Sequence, residues 1–307
     1  MQCDWVIEAV VEDLEAKKQI WREAARFVPP DVIASSNTSG ITITSIAEAL
    51  PLHLRRRFLG THFYNPPHHM RLIELIPTED TEPGPLKMVS RFAKSVLKKE
   101  IVHSRDVPNF IGNRIGIASL LFALPAMEQF DLTPSEVDSV TGLAMGRPRS
   151  ATFRTLDLIG LDILVRVCEN IRRSSTNPRE QKIFSLPDYI GTMIKRGWTG
   201  DKVGRGFYKR GEAEHKHVTA LDVNTFEYGT AMGINAESLT AALKIQDPIK
   251  RLVTISSSDD IAGRVAWRVI SGVMSYAAQL VGPVAYDIVS IDRTMRWGFG
   301  WRVGPFQ

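Results

Sequence analysis

The chain has 307 residues, 44% apolar and 23% charged, which excludes a disordered tail, a collagen-like rod and a disulfide-stapled miniprotein and leaves ample material for a core. Lys and Arg number 38 against 34 Asp and Glu, a formal charge of +4, which tolerates a phosphate-bearing ligand but is too small an excess to argue for a nucleic acid partner. The two cysteines, Cys3 and Cys168, cannot by themselves make a disulfide framework or a zinc site, and a reducing, cytoplasmic compartment is expected.

Residues 4–11 read as a buried strand starting close to the first methionine. Leu14, Trp21, Ala24, Ala25 and Val28 then recur at helical spacing, with Glu12, Asp13 and Glu15 in the first turn and Pro29 and Pro30 as a stop. Residues 32–35 form a short strand running into Ser35, Ser36, Asn37, Thr38, Ser39 and Gly40. A strand that stops in small polar residues is a typical ligand loop of an α/β sheet. A helix over 44–50, strands over 58–63 and 72–76, a helix over 85–97 and a strand over 99–103 complete the second half of a doubly wound domain. After Pro108 helices follow by period over 110–130, 134–145, 156–173 and 186–196, with no strand signal between them. Residues 211–245 read as a linker with some helix, and helices resume from Ile249. The fold class is therefore α/β followed by all-α helical domains.

The longest apolar run, residues 115–127, is 13 residues long, short of the roughly 17–25 needed to span a bilayer. The N-terminus lacks a basic n-region, so neither a transmembrane segment nor a signal peptide is expected. A loose internal repeat links Asn113, Met145, Gly146 and Phe153 to Gly263, Met295, Gly298 and Phe306, the second copy being cut short at Gln307.

The densest cluster of reactive side chains runs from Gly60 to Glu74 and includes His62, Tyr64, Asn65, His68 and His69. His62 closes one strand and Glu74 lies in the next, so a turn between the two could set the carboxylate beside the imidazole, orienting the ring and favouring the imidazolium formed on proton uptake. On spacing alone, such a pair is more often unrelated. His68 and His69 are adjacent and point to opposite faces in an extended chain, which argues against a metal site. Ser39 is either a hydrogen-bond donor to a substrate oxygen or an ordinary turn serine. Asn113 and Arg114 at the entry to the apolar helix suit capping as well as binding. Lys202 lies in the Gly-rich segment Gly200–Gly206, which could approach a ligand closely or be a solvated turn. No strand, Gly-x-Gly-x-x-Gly turn and helix occur in succession.

Taken together, Val6–Glu12, Ala34–Ser39, Thr61–Pro66, Leu72–Glu74, Phe110–Arg114, Gly160–Asp162 and Gly204–Tyr208 resemble the 3-hydroxyacyl-CoA dehydrogenase family over nearly the whole chain. Residues 145–155 and the second helical copy are similar to its bacterial multifunctional fatty-acid oxidation branch, in which the dehydrogenase is fused to enoyl-CoA hydratase. The resemblance implies NAD-dependent oxidation of (3S)-3-hydroxyacyl-CoA to 3-oxoacyl-CoA. His62 would be the base, Glu74 its partner, and Ser39 and Asn113 the polar residues that hold substrate and the pair. Ala9, Glu12, Lys17, Ser39, Asn65 and Lys202 fall on positions that contact NAD.

It also implies a partial Rossmann-type NAD-binding domain over 1–107, a first helical C-terminal domain over 108–210, a linker over 211–245 and an incomplete second helical repeat over 246–307. Expected partners are the acyl-CoA substrate, a second copy of the chain, and a fused or associated enoyl-CoA hydratase and thiolase, with no nucleic acid. Two departures stand out: Asn109 where the family usually has Gly, and Tyr64 for a common Phe, neither expected to touch the chemistry. Roughly ninety family residues that precede the position of Asp4 have no counterpart, so the chain reads as a fragment of low activity alone. The alternative is an inactive acyl-CoA-binding or oligomerisation protein derived from the family.

Overall fold

The computed structural model describes residues 3–209 and 218–307. The chain divides into two compact units, Met1–Arg114 with Ala278–Phe299, and Ile115–Ala277 with Gly300–Gln307.

The first unit is built on a five-stranded sheet in the order β1 (Trp5–Glu8), β2 (Ile33–Ser36), β3 (Phe58–Phe63), β4 (Leu72–Pro77), β5 (Glu100–His103). The first three strands are parallel, β4 runs antiparallel to β3, and β5 runs parallel to β4. Successive residues of a strand face opposite sides, and here both sides are apolar. Phe58 and Ile76 pack with Trp21, Ile43, Ile46 and Leu54 in one cluster, while Leu59, Ile73 and Leu75 pack with Ile33, Val89 and Ala93 in another. This double burial is why the strands read as continuous apolar runs rather than alternating ones. Helices α1 (Leu14–Ala24), α2 (Ile43–Ala47), α3 (Leu52–Arg55) and α4 (Pro83–Ser95) supply the covering layers. Asp13 caps α1 through the amide of Ala16, and the carboxylate of Asp106 takes the first amides of α2, Ile43 and Thr44, at 2.6 and 2.7 Å. Each acid satisfies donors that a helix start otherwise leaves unpaired.

Helix α5 (Phe110–Leu121) starts in the first unit and is followed at once by α6 (Ala123–Gln129). The apolar stretch is longer than the 13 residues expected. Phe110–Gln129 reaches the length and composition of a membrane span, yet 83% of its most apolar 18-residue window is buried inside the protein. Pro125 does not end it, because it sits in the first turn of α6, where a missing amide costs no helical hydrogen bond.

The second unit continues with α7 (Pro134–Thr141), α8 (Phe153–Ile159), α9 (Leu161–Ser174), α10 (Pro178–Ile183), α11 (Asp188–Lys195), α12 (Glu237–Lys244), α13 (Pro248–Ser256) and α14 (Ile261–Leu280). The helix expected over 156–173 is two helices broken at Gly160, and α10 was not anticipated, although Asn177 followed by Pro178 is a helix-start signal. The all-α expectation needs a further correction. Strand β6 (Tyr208–Lys209), at the end of the expected first helical domain, forms a small antiparallel sheet with β7 (Thr219–Leu221) and β8 (Tyr228–Thr230) of the expected linker. Two or three residues per strand are too few to show a period. What the sequence does hold is the turn, where the Asp222 carboxylate accepts the amides of Asn224 and Thr225. Residues 211–217 of that linker, with residue 210 before it, lie outside the described residues.

The last helix, α15 (Ile288–Gly298), groups with the first unit, not with a repeat over 246–307. It packs on β4 and β5, and the segment before it is tied to the end of β5 by the amide of Arg105 on the carbonyl of Val284 at 3.0 Å.

The Gly200–Gly206 segment is folded against Asp157. Its two carboxylate oxygens take the amides of Phe207 and Tyr208, each at 2.8 Å, and a Cβ on Gly206 would lie 2.0 Å from Asp157 Oδ1. The closeness that glycine permits is thus used internally. Burial raises the Asp157 carboxyl from 3.8 to about 7, with the two amides opposing. The folded state therefore holds this proton more tightly than the unfolded chain, so the stabilisation is complete below the ordinary value and is lost as pH rises through about 7. Compared with Asp157→Asn in denaturant melts, the parent should lose stability relative to the variant across that window. A stability difference flat in pH refutes the assignment.

Candidate active site

In the antiparallel register of β3 and β4, His62 stands directly opposite Glu74. Directly opposed residues share a face, and their side chains meet. His62 Nδ1 lies 2.8 Å from Glu74 Oε2, with the imidazole 4% exposed and the carboxylate fully buried. Glu74 has three further donors. The Tyr64 hydroxyl donates to the same Oε2 at 2.9 Å, and the amides of Ile111 and Gly112 donate to Oε1 at 3.2 and 3.1 Å. Glu74 is thereby the anion at the start of α5, where unpaired amides and the helix dipole both favour negative charge. Asn109 and Phe110 precede those amides with φ of 66° and 44°. Asn is among the residues that tolerate this left-handed region, which accounts for its standing in place of a Gly.

The pair fixes the tautomer. With Nδ1–H on the carboxylate, Nε2 is the nitrogen left to accept a proton, and no described residue hydrogen-bonds it. The ring is held by Tyr64 at 4.7 Å and Phe110 at 5.7 Å between centroids. Tyr64 is itself wedged tightly: a Cβ on Gly112 would fall 1.7 Å from its hydroxyl, and one on Gly298 3.1 Å from its ring. Burial first, and then the Glu74 charge, push the Tyr64 phenol well above its ordinary value, so it stays a donor at any working pH. Tyr64, expected to stand apart from the pair, is therefore in direct hydrogen-bond contact with its carboxylate. The signal was present in the sequence, because positions 62 and 64 of an extended chain share a face.

Around this pair, the loops that follow β1, β2 and β3 gather at the carboxyl end of the parallel strands, where open α/β sheets bind ligands. They carry Ala9, Glu12, Ser39 and Asn65, all exposed. Glu12 is a clasp: its Oε1 accepts from the Thr38 hydroxyl and from the amides of Ser39 and Gly40 at 2.7, 3.0 and 2.7 Å. Asn113 donates to the Ser39 carbonyl at 3.1 Å. The loop is therefore held on two sides, and no described residue hydrogen-bonds the Ser39 hydroxyl. Lys17 is 1% exposed, its ammonium 2.8 Å from the buried Glu8 and 3.3 Å from Glu12. Its charge is spent on holding those acids. Glu8, which the sequence did not single out, also accepts from Ser36 and from the amide of Val10. Lys202 lies in the second unit, paired with Asp162.

Two family descriptions match the chain: "3-hydroxyacyl-CoA dehydrogenase, NAD binding domain" over residues 1–107 and "3-hydroxyacyl-CoA dehydrogenase, C-terminal domain" over residues 110–210. A 3-hydroxybutyryl-CoA dehydrogenase of Mycobacterium tuberculosis is 34% identical over 66% of this chain and 69% of its own length. The chain belongs to the 3-hydroxyacyl-CoA dehydrogenase family. A Bacillus subtilis protein named "Probable 3-hydroxyacyl-CoA dehydrogenase" is 41% identical over the whole chain, which spans 38% of that relative. The crystal structure of 3-hydroxybutyryl-CoA dehydrogenase from Escherichia coli shares the fold, with a TM-score of 0.74 at 23% identity over 98% of this chain and 73% of that one. The chain spans less than two thirds of the length of the first curated family members it matches.

The packing at Gly112 gives a test of the site's geometry. Gly112→Ala should cost about 1–3 kcal/mol through overpacking against Tyr64. Gly191→Ala in α11, where an added Cβ meets nothing within 4 Å, should instead stabilise by about 0.5–1 kcal/mol. Thermal melts of the two variants moving in the same direction would contradict the packing described.

Proposed function

We propose that the polypeptide carrying this chain oxidises (3S)-3-hydroxyacyl-CoA to 3-oxoacyl-CoA in fatty-acid β-oxidation, with His62 as general base. The observation that carries this reading is His62, held at Nδ1 by a buried carboxylate and with Nε2 unbonded by any described residue. Nε2 takes the proton of the 3-hydroxyl as the hydrogen on C3 leaves as hydride, and the C3–O bond becomes the carbonyl. NAD, when bound, supplies the hydride acceptor. In the reverse direction the protonated ring donates to the 3-oxo oxygen. Glu74 orients the ring and offsets the positive charge it gains.

The strand-end loops fit such a cofactor. The side chains of Ser39 and Asn65 have no hydrogen-bond partner among the described residues, and Ala9 and Glu12 are exposed beside them in sequence order along the same sheet edge. Ser39 and Asn113, joined through the Ser39 carbonyl, would orient the substrate oxygen. Lys17 would serve the cofactor indirectly, by fixing Glu12. A cytoplasmic setting is in keeping with two free cysteines, of which Cys168 is buried and its thiol pushed up to about 12. The proposed partners are a second copy of the chain and, from the bacterial branch that it resembles, enoyl-CoA hydratase and thiolase.

In the polypeptide as its source makes it, His62→Gln should lower NAD-linked turnover of a 3-hydroxyacyl-CoA by about 10²–10⁴-fold, the range of a positioned general base, with NADH affinity nearly unchanged. NADH absorbance reads the first and a fluorescence titration the second. Near-normal turnover would remove His62 from this role. A preference for a 3-hydroxy acid over its CoA thioester would overturn the substrate class.

A further inference from the structure

We propose that Tyr64 is a positioning residue for the His62–Glu74 pair: by sharing Glu74 Oε2 with the imidazole, its hydroxyl limits how strongly the carboxylate holds a protonated His62. The proposal deepens the reading of His62 as base and rests on it.

The geometry gives the reason. Glu74 carries one negative charge and no part of it reaches water. Its four donors divide two and two: the α5 amides on Oε1, and His62 with Tyr64 on Oε2. Hydrogen bonds to an ionised acceptor stabilise its charge and reduce what remains for another partner on the same atom. Of the four, only His62 changes charge in the proposed reaction. The amides are fixed by the backbone, and the phenol keeps its proton because burial and Glu74 both oppose its loss. The Tyr64 hydroxyl is therefore the one side-chain donor that weakens the carboxylate–imidazolium attraction without titrating.

The surroundings leave few other candidates for this role. His62 and Tyr64 lie on β3 and just beyond it, Glu74 on β4. The start of α5 presents the Phe110 ring and two amides, the α15 side presents Thr294 and Gly298 to the Tyr64 and Gly112 positions, and Phe299 meets the Tyr64 ring at 5.8 Å. None of these groups is charged. The fit around the hydroxyl, set by the absent side chain of Gly112, holds Tyr64 in the rotamer that reaches Oε2.

The test compares the polypeptide with its Tyr64→Phe variant, which removes only the oxygen. With ring-carbon-labelled histidine, the His62 resonance is assigned by its loss in His62→Gln and followed against pH. The titration midpoint in Tyr64→Phe should lie about half a unit to one unit above that of the parent. The acid limb of the pH–rate profile for hydroxyl oxidation should move up by the same amount, with turnover at high pH little changed. A merely structural tyrosine would lower turnover at every pH and leave both midpoints in place, and that result overturns the proposal, as does a downward shift. The two readings remain separable. If the resonance shifts while His62→Gln retains turnover, the base assignment fails and the Tyr64 linkage stands. If His62→Gln abolishes turnover and the resonance does not shift, the reverse holds.

Discussion

The first unit is organised around one buried charge. Glu74 is sealed from water with no Lys or Arg of the described residues paired to it, and taking a lone carboxylate out of water costs several kcal/mol unless donors replace the hydration it loses. The donors come from three places: His62 on β3, Tyr64 just after it, and the first turn of α5. For these to converge, β4 must lie against β3 with residue 74 opposite residue 62, and α5 must start where its free amides face the strand. The reversal of direction between β3 and β4 follows from chain length. Residues 64–71 between the two strands are too few for a parallel crossover, which takes roughly a dozen or more.

A second buried acid in the same unit is handled differently. Glu8, at the end of β1, has a cation, Lys17, which a turn of α1 brings to 2.8 Å and which also leans on Glu12 at 3.3 Å. Glu12 spends its other oxygen on the loop after β2. The order of dependence runs from the strand-end acid to the lysine, to the clasp, to the loop, with Asn113 closing the loop from the α5 side. Rigidity at the rim of a site reduces the ordering that a ligand must pay for on binding. The hydroxyl of Ser39, left without a partner in this network, is the group such a ligand would meet.

Much of this was legible in the sequence, and the reasons for the exceptions are physical. The strands of the first unit followed from apolar runs, turn residues and strand alternation; the His62–Glu74 pairing, which spacing alone left open, followed from the resemblance. Tyr64 was passed over because Phe and Tyr are equal in a pattern of apolar residues. They differ only where the one extra oxygen finds a buried acceptor. The resemblance marked Lys17 as a cofactor position, but helical spacing does not tell whether a lysine on the covered side of α1 has acids beside it, as Lys17 has in Glu8 and Glu12. The strands β6, β7 and β8 are shorter than any period can register. The helical period of α15 was readable, but not its company: an amphipathic stripe states that a helix is covered on one side, not which core covers it.

The two units each contain a buried acid that takes two successive backbone amides, and the way the amides are shared separates structure from chemistry. Asp157 spends one oxygen on Phe207 and the other on Tyr208, and burial drives the carboxyl up to about 7. Glu74 takes both amides on Oε1 and keeps Oε2 for two side chains, the imidazole and the Tyr64 hydroxyl. A carboxylate that answered its amides symmetrically could still cap α5, but it would have less negative charge left to offer His62. The longer side chain of Glu and the left-handed turn at Asn109 and Phe110 together allow the lopsided arrangement. The helix start then supports the charge, and the far oxygen is left to the side chains that face it, His62 and Tyr64.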